Sequence, residues 1–327
     1  MPELLDVVVV GGGPTGLACA IEAVKANLST LVIEKGCLVN SIFHYPTEMI
    51  FFTSRDLLEI GEVPMPSINV KPTRAEALEY YRRVAEFFRL PIRLYERVTT
   101  VTGSDGHFQV LTQRDGGQRC GYETRKIILA TGYYDLPNML GIEGESLPKV
   151  SHYYTSAHPF YRQKVAVIGG ANSAADAALD LYRHGAEVTL IHREHELGRN
   201  IKYWVRPDVE NRIKEGSIRG LFDSVVTEIA ESWIRVESKA GEVLQLENDF
   251  VFVLTGYHPD FDFIKSTGVE LDPETCRPVC NAQTLESNVP GIYLAGVIIA
   301  GYETNEIFIE NGRFHGKQII GDIRKKV

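Results

Sequence analysis

The sequence has few cysteines and no long apolar run. Its 327 residues include 5 cysteines, irregularly spaced and without a C-x-x-C pair. A chain of this size can build its own cores, so we expect reduced thiols rather than a disulfide framework. No apolar run approaches the roughly 20 residues of a spanning helix, and the first residues lack a basic segment followed by an apolar one. We therefore expect a soluble, cytoplasmic protein with no membrane partner.

Basic residues are also fewer than acidic ones. Lys and Arg number 34 against 43 Asp and Glu, which leaves a formal net charge of -9. Nucleic-acid binding requires a clustered basic surface, so we expect no nucleic-acid partner.

His192 and His195, which alternate with Glu194 and Glu196, lack a third ligand at a suitable spacing, and no metal site is expected.

A dinucleotide-binding fingerprint opens the chain. The apolar run Val7 to Val10 predicts a buried parallel strand. Gly11, Gly13 and Gly16 follow at the G-x-G-x-x-G spacing. These glycines permit a tight turn, the approach of a pyrophosphate and close helix packing, respectively. Glu34 ends the second strand, at a distance where a carboxylate can accept hydrogen bonds from an adenosine ribose.

The same succession returns in the second half of the chain. Val165 to Ile168 predicts a strand, 169 to 174 (GGANSA) a glycine turn, Ala175 to His184 a helix, and Glu187 to Ile191 a second strand. Arg193 stands in the place that Glu34 occupies in the first unit. The turn departs from the ideal fingerprint, because an alanine replaces its second glycine.

Each fingerprint is followed by segments with a period of 2, a buried strand and a Thr-Gly turn. The first meander runs from about residue 98 to 123, before a separate strand at 126–129 and Thr131-Gly132. The second runs from 225 to 246, before a strand at 250–254 and Thr255-Gly256. The strand at 291–296 has no third fingerprint beside it, so we expect it to complete the first sheet.

This internal repeat predicts an α/β protein with two Rossmann-like dinucleotide-binding domains, each of three layers (ββα), the second inserted in the first. We place the first domain at residues 1–148 and 259–327, and the second at 149–258. Residues 41–73 predict a long loop that is followed, at the capping box Thr73 and Glu76, by a helix to about residue 89. A last helix is predicted from about Thr304 to Ile323.

The two predicted sites differ in a way that assigns their ligands. Glu34 suits an unphosphorylated ribose, whereas the Arg193 guanidinium suits a 2′-phosphate. We therefore predict FAD in the first domain and NADPH in the second. The alternative for Arg193 is a solvated surface arginine beside Glu194.

At this point the chain resembles the thioredoxin-reductase-like flavoproteins, and within them the bacillithiol-disulfide reductase family, also called the YpdA family. The resemblance extends over nearly the whole chain. The segments that carry it are GGGPTG at 11–16, IEKG at 33–36, YPT at 45–47, FF at 51–52, ATGYY at 130–134, LPKV at 147–150, HP at 158–159, NSA at 172–174, TGYHPD at 255–260 and IFIENGRFHG at 307–316.

The resemblance implies a set of cofactor-binding residues, with no certain catalytic side chain because hydride transfer is the chemistry of the cofactors. For FAD they are Gly11, Gly13, Pro14, Thr15, Gly16, Glu34, Lys35, Ser41, Tyr45, Thr131, Gly132, Gly296, Val297 and Asn305. For NADPH they are Gly170, Asn172, Ser173, His192, Arg193, Gly256 and Tyr257. Asn305 enters as a hypothesis in which a helix N-terminus near Thr304 stabilises the reduced flavin. A homodimer is usual for similar proteins.

Three departures from the family pattern affect the chemistry. Thioredoxin reductases carry a C-x-x-C before the second fingerprint, whereas residues 147–164 contain no cysteine. Bacillithiol-family members proposed as thiol reductases have a cysteine in the first glycine turn, where this chain has Thr15, and a hydroxyl cannot form a mixed disulfide. Val297 stands where the wider superfamily has an aspartate, so another group must make one of the hydrogen bonds to the ribityl chain.

Three functions follow from these patterns. The first is NADPH-dependent reduction of a small thiol disulfide through FAD, as the resemblance implies. The second passes single electrons to a small carrier protein such as ferredoxin or flavodoxin, which needs no cysteine. The third is a redox-sensing protein that holds both nucleotides with little turnover. Of the cysteines, Cys276 and Cys280 form the least implausible redox pair.

Overall fold

The computed structural model of the chain describes residues 4–326. In chain order its strands are β1 (Leu4–Val10), β2 (Thr30–Ile33), β3 (Ile92–Arg93), β4 (Glu96–Ser104), β5 (His107–Arg114), β6 (Arg119–Leu129), β7 (Leu136–Pro137), β8 (Val150–Ser151), β9 (Lys164–Ile168), β10 (Glu187–Ile191), β11 (Arg219–Leu221), β12 (Ser224–Ile229), β13 (Trp233–Ser238), β14 (Val243–Glu247), β15 (Phe250–Val253), β16 (Tyr257–His258) and β17 (Ile292–Leu294). Its α-helices are α1 (Pro14–Lys25), α2 (Asn40–Phe43), α3 (Arg55–Leu58), α4 (Arg74–Phe87), α5 (Asn172–Arg183), α6 (Arg206–Lys214), α7 (Phe261–Ser266), α8 (Ile309–Gly312) and α9 (His315–Lys326). Two 3-10 helices cover His158–Phe160 and Gly296–Ala300.

The chain forms two compact units. Unit 1 comprises Met1–Phe43, Met49–Leu136 and Tyr257–Val327, and unit 2 comprises His44–Glu48 and Pro137–Gly256. The long segment 137–256 therefore interrupts the chain of unit 1. The sequence-based boundaries at 148 and 258 differ from these, because residues 137–148 lie with unit 2 and residues 257–258 with unit 1.

A seven-stranded sheet forms the centre of unit 1, in the order β3-β2-β1-β6-β5-β4, with β17 paired to β6. β1 is parallel to both β2 and β6, so Val10 pairs with Ile33 and with Leu129. β17 is parallel to β6 and pairs Leu294 with Leu129. The segment around residue 292 thus completes the first sheet, as the sequence predicts. The carboxyl ends of β1, β6 and β17 share one edge, where ligands bind in sheets of this type.

β1 is buried on both faces. Val7 and Val9 share a core with residues of α1 and α9, whereas Val8 and Val10 share another with residues of β4 and β5. Each such side chain contributes about 1.5–3 kcal/mol when fully buried. The apolar run therefore lies between a helical layer and a meander layer, which confirms the predicted three-layer arrangement.

Unit 2 repeats this arrangement. Its main sheet has the order β11-β10-β9-β15-β8, and β12, β13 and β14 form a separate sheet. In the central strand β9, Val165 and Val167 face the core around α5, while Ala166 and Ile168 face the core around the antiparallel strands. The predicted internal repeat is confirmed in the fold.

One predicted break in unit 1 is wrong. The third meander strand and the strand at 126–129 are a single strand, β6. Its first half pairs with β5 and its second half with β1. Side chains are at least partly exposed from Arg119 to Glu123 and buried from Lys126 onward. The hydrophobic period therefore changes within one strand, and this change suggested two strands.

The predicted C-terminal helix begins later than expected. Thr304 and Asn305 lie in a turn, and helix α8 begins at Ile309. The Asn311 side chain determines this start, because its Oδ1 accepts a hydrogen bond from Phe308 N at 2.8 Å and its Nδ2 donates one to Glu306 O at 2.9 Å. The hypothesis that a helix N-terminus lies at Asn305 is therefore wrong.

Between β2 and α4, the predicted long loop contains only the one-turn helices α2 and α3. The predicted capping box is confirmed: Thr73 Oγ1 accepts from Glu76 N at 3.2 Å, and Glu76 Oε2 accepts from Thr73 N at 2.8 Å. Within residues 4–326, no helix has the length and apolar character needed to cross a membrane.

Candidate functional site

Three turns follow the carboxyl ends of neighbouring strands in unit 1. Residues 11–13 follow β1, Thr131 and Gly132 follow β6, and Gly296 follows β17 after one residue. All three were predicted to bind FAD. The parallel pairing of these strands brings the three turns to one edge of the sheet.

The glycines of the first turn meet different surroundings. A Cβ added at Gly11 would lie 2.3 Å from Ala130 O, and one at Gly16 would lie 2.0 Å from Gly11 O, so neither position accepts a side chain. A Cβ at Gly13 would meet nothing within 4 Å. Gly13 is the N-cap of α1, with Pro14 in the first helical turn. The open space therefore lies at the helix start, where free backbone N–H groups favour a phosphate.

Glu34, directly after β2, hydrogen-bonds to this turn. Its Oε2 accepts a hydrogen bond from Gly12 N at 2.7 Å, and its Oε1 accepts one from Gly36 N at 2.8 Å. Burial raises the pKa of the Glu34 carboxyl, against the opposite effect of these two hydrogen bonds. Each oxygen keeps a further lone pair for a ribose hydroxyl. The neighbouring Lys35 is engaged in an ion pair with Asp135 at 2.8 Å.

The turn after β6 contains a buried polar atom without a partner. Thr131 Oγ1 is shielded from solvent and makes no hydrogen bond. The next residue, Gly132, has a φ of +72° and open space on its Cβ side. A buried hydroxyl without a partner is costly, so this turn has both room and a donor for a bound polar group.

Thr15 lies on the side of Gly296 where a side chain would project. A Cβ added at Gly296 would lie 3.3 Å from Thr15 Oγ1, Cβ and Cγ2, and a Cβ at Gly312 would lie 2.9 Å from Thr15 Oγ1. Gly296 N donates a hydrogen bond to His315 Nδ1 at 3.0 Å. Val297, the next residue, is half-buried at the start of a 3-10 helix.

Two other predicted FAD residues precede the long loop. Ser41 lies in α2, which Arg74 holds by donating from Nε to Ile42 O at 3.2 Å. Phe43, at the end of α2, is 49% exposed. Tyr45 belongs to the short segment of unit 2, so the structure does not group it with the unit 1 turns.

In unit 2, the glycine turn lies against His192. Gly169 has a φ of +144°, and a Cβ at Gly170 would lie 2.3 Å from the His192 ring. Ala171 is the N-cap of α5 and is exposed, as is Ser173 in the first turn. Burial lowers the pKa of His192. The turn thus keeps an accessible helix start although alanine replaces its second glycine.

Asn172 connects this turn to the segment before α6. Its Nδ2 donates to Asn200 O at 3.0 Å, and its Oδ1 accepts from Lys202 N at 2.8 Å. Gly198 N also donates to Gly170 O at 2.8 Å. The predicted NADPH ligand Asn172 therefore organises the loop 198–202 through its side chain.

Arg193 lies at the end of β10 with 78% of its side chain exposed. Its Nε is 3.4 Å from Glu194 Oε1. Lys239 is also exposed and lies 3.5 Å from Glu194 Oε2. The position matches both sequence interpretations, a 2′-phosphate ligand and a solvated arginine, and provides a basic side chain that is free to reorient.

The chain passes from unit 2 to unit 1 directly after the second Thr-Gly turn. Gly256 ends unit 2, and its carbonyl accepts a hydrogen bond from Asn138 N at 2.9 Å. Tyr257 begins the last segment of unit 1, where its ring centroid lies 4.5 Å from that of Tyr134. The structure therefore does not group Tyr257 with the predicted NADPH residues of unit 2.

All five cysteines are free thiols. Burial raises the pKa of Cys19 to about 12, and burial also raises the pKa values of Cys37 and Cys280. Cys276 is partly exposed and contacts the hydroxyl of Tyr302. Raised pKa values disfavour the thiolate that thiol exchange requires.

Sequence reasoning missed two contacts of the unit 1 site. Gly12 provides the backbone donor for Glu34, although it is not one of the three fingerprint glycines. His315 reaches Gly296 from the last helix. It lies in a segment that carries the family resemblance, but neither spacing nor periodicity indicates a contact with a turn so far away in sequence.

Comparisons with known proteins agree with this geometry. Residues 8–296 match the family described as pyridine nucleotide-disulphide oxidoreductase. Bacilliredoxin reductase Bdr of Bacillus subtilis is 46% identical over 320 residues, which cover 98% of this chain and 97% of that protein. The structure of bacillithiol disulfide reductase Bdr (YpdA) from Bacillus cereus is 44% identical, with a TM-score of 0.97 and coverage of 99% and 100%. Thioredoxin reductase of Lactococcus lactis, at 23% identity, a TM-score of 0.77 and 98% coverage of both chains, shares the fold.

Proposed function

Because the chain belongs to the pyridine nucleotide-disulphide oxidoreductase family, we propose that it passes reducing equivalents from NADPH through FAD to the disulfide of a low-molecular-weight thiol of the bacillithiol type. FAD and NADPH are the cofactors that family membership implies, and the protein is a flavoprotein oxidoreductase. When bound, these cofactors supply the hydride chemistry. The protein contributes binding, orientation and exclusion of water.

Unit 1 is the proposed FAD domain. The observations that fit FAD are the open space beside Gly13, the buried carboxylate of Glu34 and the unpartnered Thr131 Oγ1. In this assignment the start of α1 receives the pyrophosphate and Glu34 receives the adenosine ribose. The turn at Gly296 and Val297 lies beside the ribityl chain.

Unit 2 is the proposed NADPH domain. The start of α5, with Ser173 exposed in its first turn, suits the pyrophosphate. Arg193 is proposed to bind the 2′-phosphate, because its exposed guanidinium ends the second strand of this unit. A guanidinium can hold a phosphate through two parallel hydrogen bonds.

The acceptor is proposed on one observation, the similarity at 44–46% identity over nearly the full length to a bacilliredoxin reductase and to a bacillithiol disulfide reductase. A disulfide acceptor takes up two electrons and two protons and yields two thiols. NADPH delivers both electrons and one proton as a hydride, and the second proton comes from solvent.

A small electron-carrier protein is the second candidate acceptor. Thr15 favours it, because its hydroxyl replaces the thiol of family members proposed as thiol reductases and cannot form a mixed disulfide. The buried Cys19 offers no substitute, since burial raises its pKa to about 12. Transfer of single electrons from a reduced flavin needs no cysteine.

An anaerobic mixing experiment tests the proposal. The holoenzyme is reduced with one equivalent of NADPH and then mixed with bacillithiol disulfide, while the flavin absorbance is recorded. Rapid reoxidation, with two thiols formed per NADPH, is expected. If the flavin stays reduced until ferredoxin or flavodoxin is added, the acceptor is an electron-carrier protein and not the disulfide. Slow reduction by NADPH itself would instead favour the redox-sensing role.

A homodimer and a cytoplasmic location are also proposed. The five free thiols support a reducing compartment, where structural disulfides are rare. The homodimer is proposed from its frequency among similar proteins. Light scattering of the purified holoenzyme measures the oligomeric state directly, and a mass near 36.5 kDa would correspond to the monomer.

A further inference from the structure

The imidazole of His315 accepts a backbone hydrogen bond. Gly296 N donates to His315 Nδ1 across 3.0 Å. An N–H donor requires an acceptor nitrogen without a proton, so the ring is neutral and carries its proton on Nε2. Burial lowers the pKa of His315, which agrees with a neutral ring.

The backbone that carries this imidazole is held tightly. His315 is the first residue of α9, and a Cβ added at the next residue, Gly316, would lie 2.7 Å from Ala18 O of α1. The two helices therefore approach each other backbone to backbone at this point. His315 consequently has a defined position relative to α1, the helix that begins at the glycine turn.

The residue at the other end of the bond is conformationally unusual. Gly296 is buried and has a φ of +80°, in a region that side chains other than glycine rarely occupy. On its Cβ side lies Thr15, at 3.3 Å from an added Cβ. The turn after β17 is thus held between the first turn of α1 and the His315 ring.

We propose that His315 is a positioning residue of the FAD site, which holds the Gly296 turn in place through its Nδ1 and thereby prepares the backbone beside Val297 for the cofactor. This inference rests on the proposed FAD site in unit 1. The side chain acts through Gly296, so its removal changes cofactor affinity while the fold of unit 2 is unaffected.

Three substitutions of His315 distinguish the loss of its hydrogen-bond acceptor from the change in side-chain volume. In His315→Asn, Oδ1 lies at the same number of bonds from the backbone as Nδ1 and can accept from Gly296 N. In His315→Gln the acceptor lies one bond further away, and His315→Leu has none. Gln318→Leu is the control, because it removes a hydrogen bond to Ala282 O at 2.8 Å elsewhere on α9.

The measurement is the FAD dissociation constant of each apoprotein, from the change in flavin fluorescence on titration. We expect the constant to rise by roughly tenfold or more in His315→Leu and His315→Gln, and to stay within about threefold of the native value in His315→Asn and Gln318→Leu. Circular dichroism of the apoproteins, and NADPH binding to each, report whether both units are folded.

Each outcome is decisive. A native FAD affinity in His315→Leu overturns the proposal. An FAD affinity in His315→Asn as low as that of His315→Leu also overturns it, because loss of the hydrogen-bond acceptor would then not explain the loss of affinity. If His315→Leu does not fold, the comparison of His315→Gln with His315→Asn decides. A native apoprotein that takes up no FAD would instead overturn the proposed FAD site, so the two failures are distinguishable.

Discussion

Glu34 and Gly12 are joined by a hydrogen bond of 2.7 Å, from the Gly12 N–H to the Glu34 Oε2. The other carboxylate oxygen accepts from Gly36 N at 2.8 Å. A carboxylate can accept at both oxygens, whereas a carboxamide can accept at only one. The charge of Glu34 thus has a structural role in the glycine turn that is separate from any contact with a ribose.

Glu34→Gln should therefore destabilise the apoprotein as well as weaken FAD binding. One backbone N–H would face the carboxamide nitrogen and lose its acceptor, which costs about 1–3 kcal/mol. Urea unfolding of the apoprotein measures this loss without FAD. Glu62→Gln is the matched control, because Glu62 is 70% exposed and should change stability by less than about 0.5 kcal/mol. Equal stability of the two variants would contradict the structural role.

Local sequence signals predicted the parts of the site that depend on local conformation. Gly13 and Gly16 have roles within one strand-turn-helix unit, and the spacing of the glycines is sufficient to recognise them. The contacts of Gly12 with Glu34 and of Gly296 with His315 join residues from separate elements. Such contacts depend on how β2 and α9 pack, which periodicity does not encode.

The same distinction explains the errors. The helix expected from Thr304 failed because the Asn311 side chain caps a later start, through Phe308 N. The N-cap itself is Phe308, with Asn311 at the third helical position, and phenylalanine is not among the residue types that mark a helix N-terminus in sequence. In β6 the strand is continuous while the burial of its side chains changes along its length. The resulting change of hydrophobic period therefore resembles a break between two strands.

Arg193→Ala should selectively impair the use of NADPH. A charged hydrogen-bonded contact contributes about 1.5–3 kcal/mol, so the KM for NADPH should rise by roughly 10- to 150-fold. The KM for NADH should stay nearly constant, because NADH has no 2′-phosphate. Steady-state flavin reduction with both nucleotides measures the two values. Arg183→Ala is the control, since Arg183 is 60% exposed, pairs with Asp208 and lies at the end of α5 that is remote from the glycine turn. An unchanged KM for NADPH would assign Arg193 to the solvated surface.

Glu96 provides a prediction about pH. Its buried carboxylate accepts hydrogen bonds from Thr112 Oγ1 at 2.6 Å, Tyr122 Oη at 2.7 Å and Arg114 Nε at 2.8 Å. Burial alone would raise the pKa of Glu96, but these bonds lower it overall. A lowered pKa in the folded state means that the stabilisation is complete above the unfolded value, near 4.3. It is lost as the pH falls through the folded value.

Tyr122→Phe should accordingly reduce the free energy of unfolding by about 1.5–3 kcal/mol at pH 7. The difference from the native protein should shrink only as the pH falls through the lowered pKa that Glu96 has in the folded state, because the carboxylate is then protonated. Urea unfolding curves at several pH values measure it. Tyr95→Phe serves as control, since Tyr95 is 52% exposed. A pH-independent loss in Tyr122→Phe would show that packing, and not the charged hydrogen bond, is responsible.

Thr15→Cys tests whether the hydroxyl in the first glycine turn limits disulfide reduction. Thr15 lies on the Cβ side of both Gly296 and Gly312, at the edge of the sheet where the proposed FAD site lies. A thiolate there can attack a disulfide, form a mixed disulfide and release one thiol, whereas a hydroxyl cannot. We expect reoxidation of the reduced holoenzyme by bacillithiol disulfide to accelerate by at least about tenfold. Mass spectrometry should also detect a bacillithiol adduct after rapid quenching.

Thr15→Ser is the matched control, because it keeps the hydroxyl and removes only a methyl group. Its rate should equal that of the native protein and no adduct should form. If native, Thr15→Ser and Thr15→Cys proteins all reduce the disulfide at the same high rate, residue 15 takes no part and the electrons reach the acceptor without a thiol at this turn. If only Thr15→Cys reduces it, the native chain uses another acceptor, and the electron-carrier proposal is then the one that its Thr15 supports.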